Sequence, residues 1–297
     1  MAVRGISAGN GHIAMIRGDY HLWLEVAGRN DYGQCDVPDW FRPGEDPMQV
    51  SCGGTHTVVL LRDGSVICVG ENQHGQCSVP ESIPASSSGQ VQRFKCVSAG
   101  ARHTVLLRMD GTAVAFGLNG DGQCNIPALH PILDGRWYVQ CSAGRFHTVL
   151  LCNDGTAVAC GRQSLCGIPP LPDGYWFASV AAGQFHSVFL RCDGCALACG
   201  SNVWGQCNIP ALPAGRWYTV IAAGATHTVL LRNDGAVVTN TCCGSERFEI
   251  DFPGGAPELE VPNHRRFNAI AAGWRLTVVH GADEAHGQVL VLGDNLG

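Results

Sequence analysis

Six histidines fall at one position of a repeated pattern: His12, His56, His103, His147, His186 and His227, at steps of 44, 47, 44, 39 and 41 residues. Imidazoles at such regular spacing could line a channel or hold a metal ion. A second candidate is Cys192-Asp193-Gly194-Cys195, a Cys-x-x-Cys pair across a tight turn of the kind zinc sites favour. Both readings have plainer rivals. Each histidine opens an apolar run directly after a small-residue turn, one per repeat, so it is expected to satisfy polar groups of its own turn. No second Cys-x-x-Cys completes a zinc set, since Cys242 and Cys243 are adjacent and in another repeat. The chain has no nucleophile elbow, no Walker loop and no His-Glu-x-x-His. No catalytic residue, metal site or cofactor is expected.

The elements that position these residues come from the repeat. Its clearest copy runs from Val97 through Gly100 and His103 to Arg108, then Asp110-Gly111, then Thr112 to Gly117, then Asn119 and Gly122-Gln123-Cys124-Asn125-Ile126-Pro127. Seven copies start near residues 6, 50, 97, 141, 180, 221 and 270, the last with Leu276 in the histidine slot. Self-similarity at this period means stacked supersecondary units, and a residue present in every copy serves the copy. Each copy reads as four short strands. Asp-Gly, at Asp63, Asp110, Asp154, Asp193 and Asp234, permits a tight hairpin between the second and third. The second strand is apolar on both faces, as a strand between two neighbouring sheets must be. The fourth ends in proline, which suits an edge.

These features predict an all-β fold: a seven-bladed β-propeller of four-stranded antiparallel blades, filling residues 1–297 as one domain. The chain begins in a first strand and stops after a third. Residues 3–8 are therefore expected to close the ring by pairing with the C-terminal blade.

The sixteen cysteines recur at fixed slots, Cys35, Cys77, Cys124 and Cys207 after Gly-Gln and Cys160 and Cys199 before a glycine. Equivalent slots in separate units lie too far apart to pair, so reduced, buried thiols are expected. The formal charge is −6 and no basic cluster exceeds Arg265-Arg266, which disfavours nucleic acid as a partner. No apolar run is long enough to span a membrane, and Met1 to Gly5 lead into the first repeat without the apolar core of a signal peptide. A cytoplasmic monomer is the expectation.

The Gly-x-x-His, Asp-Gly and Gly-x-Asn-x-x-Gly-Gln pattern closely resembles the repeats of the regulator of chromosome condensation superfamily. The tail Gln-Cys-x-Ile/Val-Pro is similar to a short-repeat branch that includes bacterial propellers and the propeller-type protein inhibitor of β-lactamase. The resemblance implies a propeller that binds proteins. Family members include exchange factors for small GTPases, chromatin binders, propeller modules of HECT-type ubiquitin ligases, and inhibitors. The exchange factors depend on features outside the repeat consensus, so none of their functional residues carries over to this chain, and the acidic charge departs from the chromatin binders.

Strand counting places the two variable x-x pairs of each repeat at one end of the sheets, opposite the Asp-Gly hairpins and proline connections. Aromatics and arginines vary at those tips while the scaffold stays fixed, as a recognition surface requires. The candidate partner-binding residues are Tyr32, His74, Arg102, Arg145, Phe146, Phe185, Trp204, Trp274 and Arg275. Two irregular segments compete for this role. Residues 243–262 are acidic and aromatic, and residues 81–92 form a longer connection. The expected function is a non-catalytic protein-protein interaction scaffold. The alternatives are nucleotide exchange on, or regulation of, a small GTPase, a HECT-ligase module, and stoichiometric inhibition of an enzyme.

Overall fold

The computed structural model describes residues 3–18, 21–38, 46–80, 93–129, 135–240, 258–259, 267–274, 276–281 and 289–293. Among them the strands form seven antiparallel sheets. The first holds β1 (Val3–Ala8), β2 (His12–Arg17) and β3 (Trp23–Gly28), the second β4 (Pro47–Cys52), β5 (His56–Leu61) and β6 (Val66–Gly70). The third holds β7 (Phe94–Ala99), β8 (His103–Arg108) and β9 (Ala113–Gly117), the fourth β10 (Tyr138–Ala143), β11 (His147–Cys152) and β12 (Ala157–Gly161). The fifth holds β13 (Phe177–Ala182), β14 (His186–Arg191) and β15 (Ala196–Gly200). The sixth has β16 (Tyr218–Ala223), β17 (Thr228–Arg232), β18 (Val237–Asn240) and β19 (Glu258–Leu259), and the seventh β20 (Phe267–Ala272), β21 (Leu276–Gly281) and β22 (Val289–Gly293). The fold is all-β, a succession of three-stranded antiparallel sheets consistent with a β-propeller. Among the described residues no helix is long and apolar enough to cross a membrane.

Local chemistry explains each hairpin. In the Asp-Gly turns Gly64, Gly111, Gly155, Gly194 and Gly235 hold φ between 76° and 87°, a region open to glycine. The preceding carboxylate accepts the backbone N–H two residues on, at Ser65, Thr112, Thr156, Cys195 and Ala236. The second strands are buried on both faces, with Val58, Val59, Val105, Leu106, Leu107, Val149 and Leu150 at most 1% exposed. Each apolar cluster joins neighbouring sheets. Val105 and Leu107 of β8, for example, pack with Tyr138 and Cys141 of β10 and Leu150 of β11. First strands are also pinned across sheets by Ser7, Ser51, Ser98 and Ser142, whose hydroxyls accept the backbone N–H of Cys52, Ala99, Ala143 and Ala182 at 2.9 Å.

Two expectations change. The Gln-Cys-x-Ile/Val-Pro segment makes no strand in the first, second, third or fifth repeat, because its donors are bound within the loop. In the first repeat the N–H of Cys35 goes to Asn30 Oδ1, that of Asp36 to the Gly33 carbonyl and that of Val37 to the Cys35 carbonyl. Only β19 stands fourth in a described sheet, pairing with β18. The N-terminal strand, in turn, pairs with its own neighbour, Ala8 facing Ile13 and Ile6 facing Met15, rather than with β22. The first and last sheets meet face to face instead, Ala8, Ile13 and Met15 packing on Val278.

Candidate protein-binding face

The loops at one end of the sheets are held by three devices. The first is a ring of glycines. The backbone N–H after Gly9, Gly53, Gly100, Gly144 and Gly183 donates to the carbonyl of the next repeat's glycine at 3.1–3.2 Å. Trp274 N–H returns to the Gly9 carbonyl at 3.2 Å, so the last turn meets the first. Only glycine fits. A Cβ on Gly100 would lie 2.4 Å from His103 Cε1 and 2.5 Å from the Gly144 carbonyl. The space these turns enclose is about 60 Å³, too small for a small-molecule site.

The second device is the histidine. It does not serve its own turn, as the sequence suggested, but bonds to a hydroxyl of the following repeat. Nε2 of His12, His56, His103, His147, His186 and His227 lies 2.8–3.0 Å from Thr57, Thr104, Thr148, Ser187, Thr228 and Thr277. Four of those hydroxyls donate their proton to a glutamine carbonyl of the repeat before: Thr57 to Gln34, Thr104 to Gln76, Thr148 to Gln123 and Thr228 to Gln206, at 2.6–2.8 Å. A hydroxyl has one proton, so in these four pairs Nε2–H is the donor and the imidazole tautomer is fixed. Burial lowers the pKa of His12, His147 and His227 to about 4 and of His56, His103 and His186 to about 3. The rings are neutral links between repeats. The seventh repeat lacks the donor, with Leu276 at the slot, and the first lacks the acceptor, with Ile13 where the others carry Thr or Ser. Donor and acceptor are lost together at the junction of the last and first sheets.

The third device is the Asn/Gln pair of the second loop. Asn30, Asn72, Asn119 and Asn202 accept the N–H of Cys35, Cys77, Cys124 and Cys207 at 2.7–2.9 Å. Gln34, Gln76, Gln123 and Gln206 are buried and accept the N–H of Tyr32, His74, Asp121 and Trp204 at 2.8–3.0 Å. Buried amides thus clamp the backbone of each tip residue and leave its side chain outside. The fourth repeat departs, with a short 3₁₀ turn over Gln163–Leu165 that buries Leu165 instead of presenting it. The cysteines following these glutamines are half-buried free thiols whose Sγ sits 3.3–3.4 Å from a loop carbonyl.

The tips gather around Arg145. Its guanidinium carbon lies 4.9 Å from the Phe146 ring centre, 5.0 Å from Trp274 and 5.7 Å from Phe185. It also donates to Gln184 Oε1 at 3.1 Å. Trp274 belongs to the seventh repeat and Arg145 to the fourth, so the contact spans the mouth of the central space, which both residues line. Phe146 packs at a tilt against Phe185, ring centres 5.8 Å apart, and carries Arg162 at 3.9 Å, itself paired with Asp121 at 2.9 Å. Arg102 is exposed and reaches His74, its guanidinium 3.5 Å from Nε2. Tyr32 and Trp204 stand apart, 49% and 51% exposed. Phe146, Phe185 and Trp274 are half-buried against the cluster. Arg275 lies outside the described residues, as do residues 81–92 and, apart from Glu258–Leu259, residues 243–262.

The hairpin end holds what the sequence reading overlooked. Trp137, Trp176 and Trp217 each lie over the Asp-Gly glycine of the preceding repeat, where a Cβ on Gly111, Gly155 or Gly194 would meet the indole's Cβ at 2.3–2.4 Å. Trp176 is 53% exposed, as open as Trp204. The signal was present as Gly-Arg/Tyr-Trp-Tyr/Phe at 135–138, 174–177 and 215–218. An open depression of about 380 Å³ adjoins Trp217, but the Arg191 and Asp193 that line it are bound to each other at 2.6 Å. Among the described residues no group of three or more His, Cys, Asp or Glu is placed to hold a metal ion.

Comparison with known proteins agrees with this architecture. The profile of the regulator of chromosome condensation (RCC1) repeat matches residues 49–76, 94–123 and 177–206. A search of curated protein sequences finds no match. Among solved structures, Prp20p of Saccharomyces cerevisiae superposes with a TM-score of 0.73 at 17% identity, over 94% of this chain and 82% of that one. Human WBSCR16 does so with a TM-score of 0.69 at 19% identity, over 99% and 87%. The ectodomain of the receptor kinase CR4 from Physcomitrella patens gives 0.69 at 19% identity, over 97% and 72%. At these identities the likeness concerns the fold. The chain is a β-repeat protein that carries regulator of chromosome condensation repeats.

Proposed function

We propose that the chain is a non-catalytic protein-interaction module, a closed seven-bladed propeller that binds a protein partner through its loop-tip end. The observation that carries this reading is the clamp beneath each tip: buried Gln side chains and exposed Asn side chains fix the loop backbone while the tip side chains differ from repeat to repeat. A rigid frame with variable aromatic and arginine side chains is what recognition needs. Prp20p, described as binding Gsp1p and histones, shares the fold and supports a binding role in general terms. Replacing Phe185 and Trp204 by alanine should leave the protein folded and abolish capture of its partner; undiminished capture would contradict the reading. A second reading, regulation of a small GTPase, rests on the RCC1 repeats, and a nucleotide-exchange assay across a GTPase panel tests it directly.

A further inference from the structure

The cations of the molecule are unevenly engaged. At the hairpin end Arg136, Arg191 and Arg216 each pair with an aspartate at 2.6–3.3 Å. At the loop-tip end Arg29 pairs with Asp31 and Arg162 with Asp121. Arg102 and Arg145 differ: the contacts they make are with an imidazole, a carboxamide and three aromatic rings. No carboxylate within ion-pair distance accompanies either among the described residues. Partial burial, with the charges of Arg102 and Arg162 nearby, lowers the pKa of Arg145. A guanidinium held against ring faces keeps its edge donors available in a fixed plane, suited to a carboxylate approaching from solvent. The chain as a whole is acidic, at −6, so the patch is a local inversion of the molecule's charge.

Resting on the binding face proposed above, we infer that the partner presents an acidic peptide segment, one carboxylate docking on Arg145 at the centre of the face and a second on Arg102. Phe146, Phe185 and Trp274 would receive an apolar residue of the same segment beside the first carboxylate. An acidic protein segment fits better than a nucleic acid, because two unpaired cations on a net anionic protein give little attraction for a polyanion.

The test uses an array of ten-residue peptides, each with an apolar residue flanked by two acidic ones at separations from two to six, printed beside counterparts carrying Asn and Gln. Wild-type protein should retain a subset of the acidic peptides at least about tenfold above their amide counterparts, with affinity falling as salt rises. Arg102→Gln/Arg145→Gln should lose that retention about tenfold or more, and Arg102→Lys/Arg145→Lys should recover part of it. Equal retention of acidic and amide peptides, retention indifferent to the Gln substitutions, or tighter binding of a single-stranded oligonucleotide would each overturn the inference. The Phe185→Ala/Trp204→Ala protein separates the two proposals. If it loses partner capture while the Gln variant keeps it at every salt concentration, the face stands and its acidic ligand falls.

Discussion

The two ends of the sheets are built from the same repeat and differ in what their polar groups are bound to. At the hairpin end each described Asp-Gly carboxylate is committed locally: Asp154 to Thr156 and Arg136, Asp193 to Arg191 and the Cys195 N–H, Asp234 to Arg232 and Arg216. Hydrogen bonds and these arginines lower the pKa of Asp193 and Asp234. The indoles there cover glycines of the neighbouring repeat. At the loop-tip end the committed groups are the ring glycines, the buried histidines and glutamines and the loop asparagines, and the other outer side chains carry little of the framework. An exposed aromatic therefore means different things at the two ends. Trp176 fastens one repeat to the next, whereas Trp204 rests on a clamped loop and covers none of the described glycines of a neighbouring repeat.

Acid should strain this contrast most. The six histidines have pKa values of about 3 to 4 when folded, below the ~6.5 of an unfolded chain. The unfolded state thus takes up the protons first, so the stability present above pH ~6.5 is lost as pH falls toward 4, at up to about 1.4 kcal/mol per pH unit for each histidine. Asp63, Asp154, Asp193 and Asp234 at the hairpins, whose pKa values are lowered, are still ionised over most of that range. Urea midpoints between pH 7.5 and 4.5 should fall steeply, and a flat profile would mean the histidines are not buried links. Next in size, Gly100→Ala should cost about 3 kcal/mol, because its Cβ meets two fixed groups. Gly120→Ala at a tip, with nothing within 4 Å of its Cβ, should stay within about 0.5 kcal/mol in the same urea titration. Thr104→Val leaves His56 Nε2–H and the Gln76 carbonyl without their shared hydroxyl and should cost about 1–3 kcal/mol by calorimetry. The smallest effect sharpens the comparison of cations. Asp154→Asn should lower stability by about 0.5–1 kcal/mol, while Arg102→Gln/Arg145→Gln should move the melting temperature by no more than a degree or two.

Features within one repeat were legible in the sequence, and features between repeats were not. Asp-Gly hairpins, second strands apolar on both faces and the tips beside Gly-Gln follow from neighbours in the chain. The partner of His56 does not, because Thr104 stands in the next repeat and only the packed sheets bring them together. The expectation that residues 3–8 pair with the last blade is not met among the described residues, where β1 pairs with β2 and the first and last sheets meet through side-chain packing instead. A fourth strand was expected from an apolar pair before proline, yet Asn30 had already claimed the N–H that a ladder would use. The sequence offers Arg145 and Trp274 as separate candidate binding residues in different repeats. That they meet over the central space, beside Phe146 and Phe185, is a consequence of the ring of turns and of nothing local.

The division of labour between the two ends can be measured without any partner, by urea unfolding of two variants at neutral pH. The tip variant combines Tyr32→Ala, Trp204→Ala, Arg102→Gln and Arg145→Gln; the hairpin variant combines Trp137→Ala, Trp176→Ala and Trp217→Ala. The tip variant should stay within about 1.5 kcal/mol of the wild type, and the hairpin variant should lose about 3 kcal/mol or more. A tip variant destabilised as much as the hairpin variant would contradict the claim that the loop-tip side chains are held in reserve for recognition.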